Sequence, residues 1–380
     1  MIADVATDAA GTPASARPAP ETTAPEASVF ETAVADRAVK RARVLDLLDR
    51  RGAASIVLRS HTAVSWYLDG ARTHVSLAGD PVAAVVVRRD GDELRVFANE
   101  ADRLLGEELV SADRLDIVRV PWHETLAGPG VAELDEADAA AELRAARASL
   151  LPGELDRYRR LCREVAEVLT DVASAADPVA TERRLAARLA GELAARGIDP
   201  LVTLVAGRSR LAHRHPLATE APIGDRAMLV VCGRRHGLIA NATRWLRFGP
   251  AAHGEQDAMR RILDVEADVF AATRSGATLG EVFDAGVAAY ARHGFDADEW
   301  RHHHQGGAAG YAGRDPRAVP GIADVVREGQ AFAWNPTAAG AKVEDTVLAG
   351  SGRIDVLTAD PRWPTVSIAG VERPLELDLG

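Results

Sequence analysis

Lysine is almost missing from this sequence. Lys40 and Lys342 are the only two, and arginine carries nearly all of the 45 basic side chains. With so much alanine beside it, that bias looks like a GC-rich genome and has no mechanistic meaning by itself; Lys342 stands out only because lysine is so rare. Basic charge is also outweighed. The 56 acids leave a formal net charge of -11, and no basic stripe appears, which argues against a nucleic-acid footprint. Cysteine is just as scarce. Cys162 and Cys232 alone cannot make a disulfide framework or a Cys-type zinc site, so a reducing, cytoplasmic setting is expected. Long apolar runs are absent too, and no membrane span is expected. Aromatic residues make up 4% of the chain, while the apolar fraction is ordinary.

What is present organises into two domains behind a tail. A chain of 380 residues is long enough for both. Residues 1–34 are rich in Ala, Pro, Thr and Glu and lack both a basic start and a continuous apolar run. They are expected to be a disordered tail and not a signal peptide. Residues 35–150 alternate helix and strand: an amphipathic helix ending at Gly52, strands at 54–60, 81–91 and 93–99, and a helix at 136–150. Pro152 and Glu154 then open a second domain, 151–380. It starts with two long helices, the second with Asp177 as its expected N-cap. Strands follow at 201–207, 226–233 and 237–249. Two more helices come next, the latter with a Thr278/Glu281 capping box. The end is β again, at 330–336, 342–349 and 353–358. Segregated helices and strands predict an α+β fold with a mainly antiparallel sheet. The order of helix pair, strands, helix pair, strands hints at a duplicated unit.

Polar groups collect at five places. His213 and His215 lie in "HRHP", and Asn241, Thr243 and Arg244 in "GLIANATRW". His302, His303, His304, Gln305, Tyr311 and Arg314 lie in "HHHQGGAAGYAGRDP". Asn335 sits in "WNPT" and Glu344 with Asp345 in "KVEDT". Histidines and acids on neighbouring strands suit metal ligation or general acid–base work, and glycines beside them let a ligand approach the backbone. Each also has a plain structural reading. A histidine run is often a solvated loop, Asn before Pro starts a turn, and an acid pair is often the outer face of an edge strand.

The order and spacing of all five together resemble the M24 family, the creatinase, aminopeptidase P, prolidase and methionine aminopeptidase group with the pita-bread fold. "VVCGRRHGLIANATRWL" stands where the family has "VDLGAxYxGYxSDITRTF". "WNPT" and "KVEDTVLA" stand for "IEPG" and "RIEDTVLVT", and "HHHQGGAAGY" is similar to its His-Gly segment. "AVSWYLDGARTHV" looks like the creatinase-type N-terminal domain, and the resemblance covers about 35–360. It implies a pita-bread domain behind a creatinase-like N-terminal domain.

The departures carry the functional expectation. Active members hold two divalent metals with two Asp, one His and two Glu. On this resemblance those positions fall on Val231, Asn241, His304 or its neighbour, Asn335 and Glu344. Hard cations need anionic oxygen donors, so no metal and no other cofactor are expected. The resemblance to creatinase, which breaks a C–N bond without metal, implies a hydrolase or lyase acting on a small amino-acid-like or natural-product substrate. His215, His304 and Glu344 are then the catalytic candidates. His213, Asn241, His303, Gln305, Tyr311, Arg314 and Asn335 are candidates for substrate binding. A homodimer is implied, with Arg72 and His74 of one N-terminal domain gripping a substrate carboxylate in the partner's site. An Xaa-Pro metallopeptidase and an inactive peptide- or protein-binding module stand as the alternatives.

Overall fold

Gly52 ends the first helix where the sequence places it, at positive φ (64°), and the chain turns back as a strand. The structure, a computed structural model, describes residues 24–109 and 114–380. Most of the expected tail lies outside the described residues. Helix α1 nevertheless runs Ala24–Arg51, starting inside the segment expected to be tail. Its inner face places Lys40, Val44, Leu47 and Leu48 in the core at helical spacing. The N-terminal domain continues with β1 (Ser55–Leu58), α2 (His61–Tyr67), β2 (Ala83–Arg88), β3 (Asp92–Phe97), α3 (Ala101–Arg103), β4 (Asp116–Val120), β5 (Leu134–Asp135) and α4 (Ala140–Ala148). Its five-stranded sheet has the order β4-β3-β2-β1-β5 and is mixed, parallel at its outer pairs.

The chain continues with α5 (Pro152–Ser174), where Pro152 sits in the first turn and the Glu154 carboxylate accepts from the Leu151 N–H. Its face of Tyr158, Leu161, Cys162, Val165, Val168 and Leu169 is fully buried on the following sheet. Helix α6 (Glu182–Ala195) is capped by Thr181 and not by Asp177. Asp177 instead binds the Val179 N–H in the preceding turn. Strands β6 (Asp199–Gly207), β7 (Arg226–Arg235) and β8 (Leu238–Arg247) form one antiparallel sheet. After α7 (Glu255–Ala272) and α8 (Leu279–Arg292), the latter with the Thr278/Glu281 capping box, the chain builds a second sheet. It comprises β9 (Gly306–Ala309), β10 (Gln330–Trp334), β13 (Asp345–Ala349) and β14 (Ile354–Val356), in the order β14-β13-β10-β9. A small hairpin, β11 (Thr337–Ala338) and β12 (Ala341–Lys342), interrupts the stretch expected to be one strand over 342–349. The chain ends in the hairpin β15 (Thr365–Ile368) and β16 (Val371–Pro374), then β17 (Leu377–Asp378), which pairs parallel to β8. The two sheets join where Thr243 of β8 bridges Glu344 just before β13. The fold is α+β, as expected, and the repeated order of helix pair and strands is present.

The N-terminal sheet and helices pack on the rest of the chain through the tip of the β7–β8 hairpin and a buried ionic knot. The hairpin turns on His236 and Gly237, both at positive φ, and a Cβ at Gly237 would lie 2.6 Å from Ser65 of α2. Beneath it, the Lys40 ammonium lies 2.7 Å from Asp69 and 3.0 Å from Glu154, while the Tyr311 hydroxyl donates to Glu154 at 2.8 Å. Lys40 and Glu154 are wholly buried, so each needs the other. Lys40→Met is expected to cost about 3–5 kcal/mol in urea unfolding by stranding the Glu154 charge. A loss within the range of surface pairs, under about 1 kcal/mol, would show that water reaches the knot.

Candidate functional site

Two adjacent acids on one extended segment point opposite ways, as successive strand residues must. Glu344 faces the site. Its Oε1 accepts from the Arg314 guanidinium at 2.6 Å and from Asn335 Nδ2 at 3.4 Å. Its Oε2 accepts from the Thr243 hydroxyl at 3.0 Å and lies 3.6 Å from the Lys342 ammonium. Burial alone would raise its pKa, but Lys342 and Arg314 hold the carboxyl well down, at about 2. Asp345 faces the other side and is held by Arg244 and Arg373, each at 2.8 Å. Arg373 also makes a double contact with buried Glu266.

The histidines converge over this floor. His215 stands exposed on the loop after β6, and its Nε2 lies 3.0 Å from His303 Nε2. His303 and His304 stack with ring centres 4.3 Å apart, and ligand nitrogens of the three rings lie within 4.8 Å of one another. They are held by β9. A Cβ at Gly306 would meet the Ala333 carbonyl at 2.2 Å, so only glycine lets β9 lie against β10 there. The Gln305 carbonyl accepts from the Asn335 N–H, and the Gln305 amide donates to the Trp300 and His303 carbonyls. The β11–β12 register sets Thr337 opposite Lys342, so both face the site. Thr337 Oγ1 donates to the Asn335 carbonyl at 2.9 Å, which leaves it an acceptor for His303 Nδ1 at 3.5 Å. That network assigns His303 the Nδ1–H tautomer. His215 is then the donor in the Nε2–Nε2 bond, and its Nδ1 is a free base.

Burial, followed by the Lys342 ammonium and the neighbouring rings, pushes His303 down to about 2. Burial, followed by Arg314 and Arg317, pushes His304 down to about 4. His215 is lowered for the same reasons, burial first and Lys342 second. All three rings are neutral at pH 7. Several polar atoms around them have no partner: Asn241 Oδ1, Asn335 Oδ1, His304 Nδ1 and Arg314 Nε.

The structure therefore gathers His215, His303, His304, Asn241, Arg314, Asn335 and Glu344. Other expected site residues lie elsewhere or are committed to the scaffold. Tyr311 is buried in the interdomain knot, not in the site. Gln305 accepts from Tyr290 at 2.7 Å and braces the histidine loop. His213 is exposed on a turn, with its N–H on the Arg210 carbonyl. Arg72 pairs with Glu108 and is 63% exposed, and His74 packs beside Arg234 and Asp199. The register also corrects Val231. Its side chain lies in the core beneath the sheet, and the residue directly across from Asn241 is Cys232. Cys232 feels Glu344, Arg314 and Lys342, and burial pushes its thiol up to about 12. Sequence reasoning gave no site role to Lys342 or Thr243, though it noted both, and it missed Thr337. The two-residue His236-Gly237 turn was the available signal for Cys232, since it fixes the hairpin register outward from the tip. The largest cavity described, about 1010 Å³, lies elsewhere, between the N-terminal sheet and α4, and none of the candidate side chains lines it.

This curved pair of sheets flanked by helices, behind a smaller α/β domain, is the pita-bread fold. Metallopeptidase family M24 matches residues 156–351, more than half of the chain, and the chain belongs to that family. No curated protein matches it in sequence. Among solved structures it is similar to the prolidase from Pyrococcus horikoshii OT3 at 16% identity and a TM-score of 0.70, covering 85% of this chain and 99% of that one. The dipeptidase PepE from Mycobacterium ulcerans matches at 17% identity and 0.71, covering 92% and 99%. The N-terminal domain of FACT complex subunit SPT16 from Cicer arietinum matches at 13% and 0.64, covering 87% and 96%.

The family's description raises a metal centre, and the residues present do not fit a dinuclear one built on carboxylates; the ligand nitrogens of His215, His303 and His304, within 4.8 Å of one another, are the set that would hold a single ion. The donors facing the site include one carboxylate, Glu344, and its oxygens are already engaged by a guanidinium, an ammonium, a hydroxyl and an amide. Asn241 and Asn335 contribute neutral amides, and two fixed cations repel a third. The histidines give a stability signature instead. An unfolded chain takes up protons near pH 6.5 that His303 and His304 refuse in the fold, so stability falls as pH drops from about 6.5 towards 4. His303→Asn is expected to flatten that slope in urea midpoints measured across the interval; an unchanged slope would mean the ring is solvated.

Proposed function

We propose that this M24-family chain hydrolyses a C–N bond of a small, amino-acid-like substrate by histidine acid–base chemistry, without a dinuclear metal centre. The observation that carries this is the His215–His303 pair at 3.0 Å beside a carboxylate already neutralised by side-chain cations. His215 Nδ1, the free base of the pair, takes a proton from water as the oxygen attacks the scissile carbon. The proton then passes to the leaving nitrogen as the C–N bond breaks, and His215 returns to neutral. His303, anchored by Thr337, orients His215. Glu344 fixes Arg314 and Lys342 and takes no proton. The homodimer of the sequence-based expectation, in which the N-terminal part completes the partner's site, then rests on Arg72, 63% exposed beside Glu108, while His74 stays packed against Arg234 and Asp199 of its own chain.

The named neighbours favour a second reading, an Xaa-Pro dipeptidase-like metallopeptidase, since prolidases and dipeptidases share the fold. Elemental analysis with turnover of Xaa-Pro dipeptides, creatine and related guanidino acids, each with and without chelator, separates the two. Chelator-resistant turnover without metal is expected. Stoichiometric metal with chelator-sensitive dipeptide cleavage would establish the peptidase instead, and absence of any turnover would favour a binding module. Once a substrate is found, His215→Ala is expected to lower kcat by about 10²–10⁴-fold with the fold intact; an unchanged rate removes His215 from the chemistry.

A further inference from the structure

Lys342 is the least explained group in the site. Its side chain is 2% exposed, and its ammonium lies 3.6 Å from Glu344 Oε2, an ion pair beyond hydrogen-bond distance. An ammonium has three donors, so this one has capacity left for a ligand oxygen. Its position is not accidental. The β11–β12 hairpin sets it across from Thr337, and the alternation of the chain puts it on the same face as Glu344. Arg314, also largely buried, donates one Nη to Glu344 and leaves its Nε unpartnered. Against these two cations the floor offers one carboxylate, and exposed Arg317 adds positive charge near His215 and His304. The local balance is therefore positive although the whole chain is at -11. A cationic ligand aimed at Glu344 would have to displace a guanidinium already bound there at 2.6 Å.

We propose that Lys342, seconded by Arg314, is the binding group for an anionic oxygen of the ligand, and that the site selects carboxylate-bearing molecules over cationic ones. These side chains are fixed positive charge on the floor of the site. The unpartnered Asn241 Oδ1 and Asn335 Oδ1 complement it by accepting N–H groups of the same ligand. The recognised class is a small carboxylate that carries an amide or amine nitrogen. This deepens the hydrolase reading in that it names the substrate class for the same site.

The test is a matched pair of probes that share an acetamido group and differ in the sign of charge: N-acetylglycinate and protonated N-acetylethylenediamine. Titration calorimetry on the full chain at pH 7.5 is expected to show one saturable site for the anion and none for the cation. Lys342→Met should weaken anion binding at least tenfold, and Lys342→Arg should largely keep it. Should Lys342→Met unfold by stranding Glu344, the double variant Lys342→Met/Glu344→Gln removes both charges and serves in its place. Binding of the cation in preference, binding of neither probe, or equal anion affinity without Lys342 would each overturn the proposal. The readout needs no turnover. Anion binding in a chain that turns over nothing keeps this inference and sinks the hydrolase, whereas turnover that survives loss of Lys342 sinks this inference alone.

Discussion

The bridge between β8 and the segment entering β13 fixes both the fold and the site. There the Thr243 N–H donates to the Glu344 carbonyl, Thr346 bonds the Asn241 backbone beside it, and the two carboxylates of Glu344 and Asp345 face opposite ways. Asp345 closes a buried cluster with Arg244, Arg373 and Glu266, drawing β8, the β15–β16 hairpin and α7 onto one charge. Glu344 does the same on the site face with Arg314, Lys342, Thr243 and Asn335. Removing a charged member of the Asp345 set, or Glu344 itself, leaves a buried charge unmatched, so the geometry of the site and the docking of the sheets are linked.

Much of this was legible in the sequence for simple reasons. Gly52, Pro152 and the Thr278/Glu281 pair mark helix ends by local chemistry that needs no partner, and they hold. Asp177 misled because aspartate also caps turns, and Thr181, four residues on, took the helix. The break of the expected strand at 342–349 into a hairpin and β13 was not legible, because alternating apolar residues read alike on either side of a bend. Asn241, His303, His304, Asn335 and Glu344 were named because motif spacing survives divergence. Cys232 was missed because motif matching does not register the strand pairing, which sets Cys232 and not Val231 opposite Asn241. Lys342 was noticed for its rarity and not for its partner, since only the fold sets it beside Glu344. Tyr311 failed the other way: it lies near the histidines in sequence, but its ring turns into the domain interface.

Positive side chains and amides stand together on the floor of this site. Covalent attachment to the chain keeps the local field permanent, because guanidinium and ammonium groups cannot be chelated away. It also makes the field dependent on packing: Arg314 and Lys342 are aimed by the β11–β12 hairpin and the loop after β9, not by a coordination sphere.

Both lysines of the chain, Lys40 and Lys342, are buried, one under the domain interface and the other under the histidines. Lys40 is wholly enclosed, whereas Lys342 faces the site that a ligand has to enter. Acylating reagents, aldehydes and enzymes that modify lysine all need a reachable amine, so uptake of such a label at Lys40 records an opening event rather than surface chemistry. Labelling at Lys40 reports parting of α1 from α5, and labelling at Lys342 reports entry to the site. Two rare residues thereby act as separate natural reporters of core opening and of site access.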